Sequence, residues 1–488
     1  MSMDRFPTFR RLGRWSLRIL RRTGQVLLVL IVILAIAWTY FNLKYGRELE
    51  LEVARWRAQG EPLTYAEIAP RPVPDSENAA VVYQQVFQVH FPHGTGIWQA
   101  PEPGVVRPPG FAGLTQAELG KLANFACPRS SSYAVATEAE VATWLARSGV
   151  VHALKVFEEG SRRPACVFPV NWQDGPGALF PHLSRFRSAV QLLAAQALLE
   201  SRRGRRGAAI HWLAVGVRMC RQVGTEPILI AQLVRFSMLA ILIHPTGQEV
   251  LCETKAISPQ ISELAETLAA QDVDTDFHTA MSGERAMNLW LFEFVNSQPL
   301  GKIRSLLREG EGLGMNAVWL ALYTSPFGRP LRKHDILAFL HFWDLQAAAM
   351  DHPFRESKAR FDALERNSTQ FKWIAPLTSY SFPTYGRATK KRDWAKAEIA
   401  LWRVALALKG YKFAHGRYPA TLADLQRTLD WTIPDDVFSG RPFIYRTEGA
   451  GFVVYSIGPD LKDDGGKSQY DEQGKYHEEG DIVWRCGR

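Results

Sequence analysis

Four aspartates near the carboxyl end of the chain have the residue type and the spacing to bind a metal ion. Asp460, Asp463, Asp464 and Asp481 surround the flexible pair Gly465–Gly466. Carboxylate oxygens on a flexible loop are the ligands that calcium takes. An Asp/Gly-rich turn is also a common solvated loop. The pattern therefore predicts a calcium site and leaves a solvated acidic loop as the alternative.

The other residues able to do chemistry form no recognisable catalytic motif. The sequence contains no HExxH, G-x-S-x-G, Walker, dinucleotide-binding or CxxC motif. Glu284 and Arg285 are adjacent, but neighbouring residues on a helix point in different directions. An acid–base pair assembled from distant residues stays open. The histidines that lie near one another in the sequence are better explained as helix or loop positions than as zinc ligands: His90, His93, His334, His341 and His352.

The chain is basic, but its charge is concentrated at the amino end. The net charge is +9 over 488 residues. Residues 1–23 carry seven arginines against one aspartate, a balance of +6, which leaves +3 for the rest of the chain. A basic tail beside an apolar segment indicates a membrane flank, and it argues against nucleic acid as a partner.

An uncharged segment over residues 23–43 predicts one transmembrane helix. Its 21 residues match the roughly 20 needed to cross a bilayer, and Trp38 and Tyr40 suit the membrane interface. The basic tail, residues 1–22, predicts a cytoplasmic amino terminus, an inner-membrane location and a periplasmic location for the bulk of the chain. The alternative is a signal peptide cleaved after Ala37.

Residues 44–387 predict an all-helical extracytoplasmic body. Capping boxes at Thr115 and Thr137 begin two helices, the second extending to Glu159. A helical hairpin over residues 182–244 has small residues spaced as in a tetratricopeptide repeat, with an ordinary helix pair as the alternative. The last helix of this region follows the two paired helices and carries Arg235 in an apolar run. This pattern predicts a core helix rather than a second membrane span.

Five cysteines are too few for a disulfide framework. An oxidising compartment would permit a bond such as Cys127–Cys166, and an odd count leaves at least one thiol free. Cys220, within an apolar helical run, is predicted to be a buried free thiol.

From about Thr389 the pattern changes, and residues 388–488 predict a small α+β module. A long helix reaches His415, and alternating apolar residues then predict three short strands. This succession resembles the C-terminal half of the major pseudopilin of type II secretion. The motifs that carry the resemblance are, in order, Gly416-Arg417-Tyr418-Pro419, Pro434-Asp435, Ser456-Ile457-Gly458-Pro459-Asp460 and Asp481-Ile482.

The resemblance implies a calcium site in the loop before the last strand. It implies Asp460 and Asp481 as carboxylate ligands and backbone carbonyls near Ile457 and Lys462. The chain lacks the prepilin-peptidase motif and the glutamate of the pseudopilin membrane helix, which argues against polymerisation into a pseudopilus. The whole arrangement also resembles membrane-anchored bacterial envelope proteins of unassigned activity.

Together these features predict a mostly α-helical, single-pass protein with a small α+β head. The predicted function is a non-enzymatic envelope interaction or scaffold protein, with a protein partner and possible calcium stabilisation of the head. One alternative is an envelope hydrolase with its active site in the helical body. The other is an accessory component of a type II secretion or pilus-like system.

Overall fold

A computed structural model describes residues 8–90, 113–128, 134–254, 259–297, 317–368, 375, 378, 384–470, 477 and 479–487. Contacts group the chain into two units. Unit 1 comprises Met1–Leu63, Leu291–Leu345 and Arg366–Phe382. Unit 2 comprises Thr64–Trp290, Gln346–Glu365 and Pro383–Arg488.

The described residues are mostly helical, with a small sheet near the carboxyl end, which confirms the predicted class at this level. The strands are β1 (Ile444–Glu448), β2 (Gly451–Ser456) and β3 (Ile482–Cys486). The α-helices are α1 (Thr8–Ala58), α2 (Ala79–His90), α3 (Gln116–Ala126), α4 (Glu138–Leu145), α5 (Ser148–Ser161), α6 (Pro181–Arg202), α7 (Arg206–Gly224), α8 (Leu229–Ile241), α9 (Gln248–Glu253), α10 (Pro259–Ala269), α11 (Val273–Ser297), α12 (Ala317–Thr324), α13 (Arg329–Met350), α14 (Phe354–Ser368), α15 (Thr384–His415) and α16 (Leu422–Gln426).

The predicted membrane span lies within one continuous helix, α1. The side chains from Val26 to Leu34 are 48% to 66% exposed, a surface that is favourable in hydrocarbon rather than in water. The most apolar 18-residue stretch of this helix has a mean hydropathy of 2.5, and none of that stretch is buried. The helix is therefore long and apolar enough to cross a membrane. It ends just before Gly60, whose φ of 74° suits glycine.

Within unit 1, the segment from α12 to α13 packs beside the carboxyl half of α1. The indole Nε1 of Trp38 donates a hydrogen bond to the backbone carbonyl of Phe327 at 3.0 Å. Farther along the helix, Arg55 forms an ion pair with Asp344 at 2.5 Å. These contacts hold the carboxyl half of α1 to α13 and to the segment that precedes α13.

Unit 2 is built around the predicted helical hairpin, α6 and α7. The turn between them uses Gly204 at a φ of 79°, a conformation that favours glycine. A Cβ atom at Gly216 would lie 2.8 Å from the side chain of Leu242, so the small residue is needed for close packing. The hairpin is therefore confirmed as a helix pair, and its likeness to a tetratricopeptide repeat stays a resemblance.

The helix after the hairpin is a core helix. The most apolar 18-residue stretch of Leu229–Glu253 has a mean hydropathy of 1.5, but 67% of that stretch is buried. Arg235 has no exposed side-chain surface and contacts Asp276 at 2.7 Å. Burial of this kind is expected of the interior of a unit, in agreement with the prediction.

Both predicted capping boxes form, at Thr115 before α3 and at Thr137 before α4. The helix predicted to extend to Glu159 is instead two helices, α4 and α5. The break occurs at Arg147, whose backbone is extended and whose side chain pairs with Glu118 at 2.6 Å. The sequence favours a continuous helix here, but the helix is interrupted at the residue that forms an ion pair with a distant part of the chain.

The carboxyl end forms a three-stranded antiparallel sheet in the order β1-β2-β3. Tyr455 of β2 pairs with Ile444 of β1 on one side and with Val483 of β3 on the other. Every residue of β2 is buried, and α15 packs against β2 and β3. These residues belong to unit 2 with the helices from Thr64 onward, and the boundary at residue 388 stays a prediction.

All five cysteines lie within the described residues. Cys252 of α9 and Cys486 of β3 form a disulfide bond, and the remaining three are free thiols. The suggested bond between Cys127 and Cys166 is therefore wrong: both are free thiols, Cys127 buried and Cys166 partly buried. Cys220 is buried and free, as predicted.

Candidate functional site

The buried centre of the predicted calcium loop is Asp481, which has no exposed surface. Its carboxylate accepts hydrogen bonds from the backbone N–H groups of Gly466 at 2.7 Å and Asp464 at 3.3 Å. Burial raises the pKa of Asp481 to about 6, with a smaller contribution from the carboxylates of Asp463 and Asp464. A cation near this group would relieve that electrostatic cost.

The other aspartates also contact the loop itself. Asp460 accepts the backbone N–H of Gly480 at 3.4 Å. Asp463 accepts the backbone N–H of Gly465 at 2.9 Å and the hydroxyl of Tyr455 at 3.1 Å. These hydrogen bonds fix the loop conformation through its own carboxylates.

The structure thus brings the predicted ligands into one loop, but it does not arrange them as a metal centre. Among the described residues, no group of three or more His, Cys, Asp or Glu side chains is arranged to hold a metal ion. Calcium takes about 6–8 oxygens, so binding would recruit backbone carbonyls and water as well. Calcium binding stays a prediction.

The histidines considered as zinc ligands have separate surroundings. The side chains of His90 and His93 lie outside the described residues. The other three have different neighbours: Tyr45 beside His334, Glu52 beside His341 and Glu356 beside His352.

A second group of ionisable residues lies in the helical part of unit 2, around Glu284 of α11. The carboxylate accepts the backbone N–H of Leu229, the first residue of α8, at 3.1 Å, so it satisfies a helix-terminal donor. Protein surrounds the carboxylate closely, although the residue as a whole keeps intermediate exposure. Burial raises the pKa of Glu284 to about 7 despite the opposing hydrogen bond.

Aromatic rings lie beside this carboxylate. Tyr65 contacts Trp172 at a centroid distance of 5.4 Å, and Trp172 contacts Phe180 at 5.5 Å. Burial raises the pKa of Tyr65 far above its usual value, and the charges of Glu284 and Glu226 raise it further. Tyr65 is therefore close to both carboxylates.

The second carboxylate, Glu226, pairs with a histidine. His182 Nε2 lies 2.9 Å from Glu226 Oε2, and the ring of Phe168 stacks on the imidazole at 4.2 Å. The side chains of His182 and Glu226 are 5% and 12% exposed. Burial, and next the charge of Glu226, raises the pKa of the Cys166 thiol well above its usual range.

A second tyrosine completes the surroundings of Glu284. Asn288 Nδ2 donates to Tyr385 Oη at 3.2 Å and to the backbone carbonyl of Glu284 at 2.8 Å. Burial, and next the charge of Glu284, raises the pKa of Tyr385. These side chains form what we call the acidic–aromatic cluster: Tyr65, Trp172, His182, Glu226, Glu284 and Tyr385.

The acidic–aromatic cluster has two chemical capabilities. Carboxylates beside aromatic rings attract cationic groups. A carboxyl group that titrates near neutral pH can donate and accept protons. Sequence reasoning singled out only Glu284, and only as a neighbour of Arg285, because the cluster is assembled from separate segments.

Replacing Glu284 with glutamine is expected to change the pH dependence of stability. The pKa is about 7 in the folded protein against an ordinary 4.5, so the folded state binds the extra proton, and stability falls as pH rises from about 4.5 through 7. Glutamine keeps the acceptor for Leu229 and never ionises. It should match the wild type near pH 4 and exceed it by about 3 kcal/mol above pH 8.

Denaturant unfolding of the full chain in detergent at both pH values measures this difference. The exposed Glu77, replaced by glutamine, is the matched control and should show no pH-dependent gain. A difference between Glu284→Gln and wild type that is the same at both pH values would contradict the raised pKa.

Comparison with known proteins identified no relative of this chain. The likeness of residues 388–488 to the pseudopilin head accordingly stays a resemblance of sequence motifs. No protein-family model, no curated protein and no solved structure matches this chain.

Proposed function

We propose that this chain is a single-pass envelope protein that acts by binding a partner through the acidic–aromatic cluster. The observation that carries the proposal is the association of two carboxylates, Glu226 and Glu284, with a continuous set of aromatic rings in a mostly buried location. Glu226 pairs with His182 and Glu284 accepts the backbone N–H of Leu229, yet burial still raises the pKa of Glu284 to about 7, so its negative charge is not fully compensated. A ligand with a cationic group matches its chemistry.

The proposed location is the inner membrane, with a cytoplasmic amino terminus and a periplasmic bulk. The apolar helix preceded by seven arginines supports this orientation. The Cys252–Cys486 disulfide supports an oxidising compartment for unit 2, because such bonds are rare in the cytosol.

Exposed apolar side chains adjoin the cluster and suit a partner-binding surface. Leu179, 59% exposed, directly precedes Phe180, which contacts Trp172. Ile230, 49% exposed, directly follows Leu229, which contacts Glu284. Recognition sites commonly combine apolar side chains with a small number of precisely placed polar groups.

A photocrosslinking amino acid placed at Leu179 or Ile230 of the full chain tests the proposal in intact cells. Both positions should give the same adduct, and Glu226→Gln should abolish it while the protein stays folded. Val135, 60% exposed, is the matched control position and should not give that adduct. Adducts that are indifferent to Glu226, or equal at Val135, would refute binding at the cluster.

The second candidate is an envelope hydrolase that uses the same cluster. The pKa of Glu284 near 7 favours it, because general acids and bases work best near the ambient pH. Glu284→Gln separates the two functions. In a hydrolase it blocks turnover and traps substrate, so the adduct yield rises. In a binding protein the yield falls, because one of the two carboxylates that attract the cationic group is lost.

We also propose that calcium stabilises the carboxyl-terminal loop. The supporting observation is the buried Asp481, whose pKa is raised by burial and by neighbouring carboxylates. Calcium at a hundredfold excess over its dissociation constant should add about 2.7 kcal/mol to the free energy of unfolding. Melting of the full chain with calcium and then with chelator measures it.

Two variants make the calcium test specific. Asp481→Asn should remove the calcium-dependent increase in melting temperature, and Asp430→Asn, at an exposed aspartate, should keep it. An identical melting temperature of the wild type in calcium and in chelator would leave the loop as solvated, self-bonded surface.

A further inference from the structure

Unit 1 contains an apolar groove of about 1000 Å³ along the membrane helix. One wall consists of α1 side chains that include Ile31, Leu34 and Phe41. The other wall comes from α12, the start of α13 and the segment between them, and it includes Leu322 and Leu331. Its volume is at the upper end of the range of ligand sites, about 300–1,000 Å³.

The position of the groove relative to the membrane follows from the helix that forms one of its walls. The lining residues Ile31 to Phe41 lie within the uncharged span of residues 23–43, so the groove opens at the level of the hydrocarbon layer. Across from them, Leu322 is 46% exposed and Phe327 is 73% exposed. Contact with lipid is more favourable than contact with water for side chains this apolar and this exposed.

We propose that this groove holds an acyl chain of a membrane phospholipid, and that the segment Ala317–Leu331 enters the leaflet at the carboxyl end of the span. The shape of the walls favours a flexible chain over a second helix. Helix–helix contacts in membranes use small residues that allow close approach, whereas Trp38, Phe41 and Phe327 are bulky.

Charge at the aqueous end of the groove favours a phospholipid with an anionic headgroup. Lys44, Arg329 and Lys333 each directly neighbour a lining residue in the sequence. Lys44 and Arg329 are exposed, and Lys333 Nζ donates to the backbone carbonyl of Asn42 at 3.0 Å. The nearby Asp335 is buried and accepts the hydroxyl of Tyr323 at 2.7 Å, so it does not offset these cations at the surface. Basic residues at this level attract anionic headgroups.

The test uses the full chain in vesicles of phosphatidylethanolamine and phosphatidylglycerol with a trace of phosphatidylglycerol carrying a diazirine at the end of one acyl chain. After illumination, mass spectrometry of peptides should find adducts concentrated on residues 322–334. Ala35→Trp fills the groove from the α1 wall and should reduce these adducts about tenfold, equivalent to about 1.4 kcal/mol.

Ile33→Trp is the matched control, because Ile33 is 55% exposed in the same span but does not line the groove. It should leave the adducts on residues 322–334 unchanged. Equal labelling in Ala35→Trp and wild type, or an equal loss in both variants, would overturn the proposal. Native mass spectrometry of the wild type provides a check without mutation: a retained phospholipid supports the proposal, and a lipid-free protein overturns it.

Discussion

Replacing Asp276 with alanine is expected to lower the free energy of unfolding of unit 2 by about 3–5 kcal/mol. The reason is that Arg235, with no exposed side-chain surface, would keep its charge and lose its carboxylate at 2.7 Å. Its other side-chain hydrogen-bond partner, Gln271 at 3.0 Å, is neutral, and the charge of Asp272 contributes less than that of Asp276. Burial already lowers the pKa of Arg235 with Asp276 present. Denaturant unfolding of the full chain in detergent measures the loss.

The residues around the Arg235 guanidinium leave it little space to move if Asp276 is removed. A Cβ atom at Gly224 would lie 2.5 Å from Arg235 Nη1, so the group is enclosed at the carboxyl end of α7. A helix carboxyl terminus favours a cation, which explains why the arginine is tolerated there. Loss of Asp276 therefore cannot be compensated by movement into water.

Two further variants distinguish the buried pair from general disruption. Arg235→Met combined with Asp276→Leu should be less destabilised than Asp276→Ala alone, because no unpaired charge remains. Arg221, which is exposed but also electrostatically near Asp276, serves as the control, and Arg221→Met should cost less than about 1 kcal/mol. A double variant as unstable as Asp276→Ala would show that packing, rather than the unpaired charge, causes the loss.

Local signals in the sequence were sufficient for several elements of this fold, although not for the break between α4 and α5. The capping boxes at Thr115 and Thr137, the turn glycine Gly204 and the alternating apolar residues of the strands each depend on neighbours a few positions away. The uncharged segment of residues 23–43 depends only on composition. Such features form in the structure because tertiary contacts reinforce the local preference.

The candidate site could not be predicted in the same way. Glu226 and His182 are 44 positions apart, and Glu284 reaches its helix-capping contact at Leu229 across 55 positions. Neither pair has a periodic or motif signal, since its geometry is set by how the helices pack. The acidic loop was found because its aspartates are near one another in the sequence, but the burial of Asp481 required the sheet.

Removal of the disulfide bond between Cys252 and Cys486 is expected to have the second large effect, a loss of about 2–5 kcal/mol. The bond joins α9 to β3 across 234 positions, so its loss frees a long closed loop in the unfolded chain. Five cysteines allow many pairings, and spacing alone does not select this one. The selection comes from β3, since Gln248 donates to the backbone carbonyl of Arg485 at 2.8 Å and aligns the two segments.

The variant Cys252→Ala/Cys486→Ala and chemical reduction of the wild type should lower the melting temperature of the full chain by similar amounts. Reductant should have no effect on the variant, and Cys166→Ala, at a free thiol, should leave the reductant effect intact.

The redox state of the same bond indicates the compartment of unit 2, because blocking thiols at cell lysis preserves the state present in the cell. Protection of Cys252 and Cys486 from alkylation until reductant is added would support the periplasmic placement of unit 2. Immediate alkylation of both cysteines would contradict that placement, since a reducing compartment leaves these thiols free.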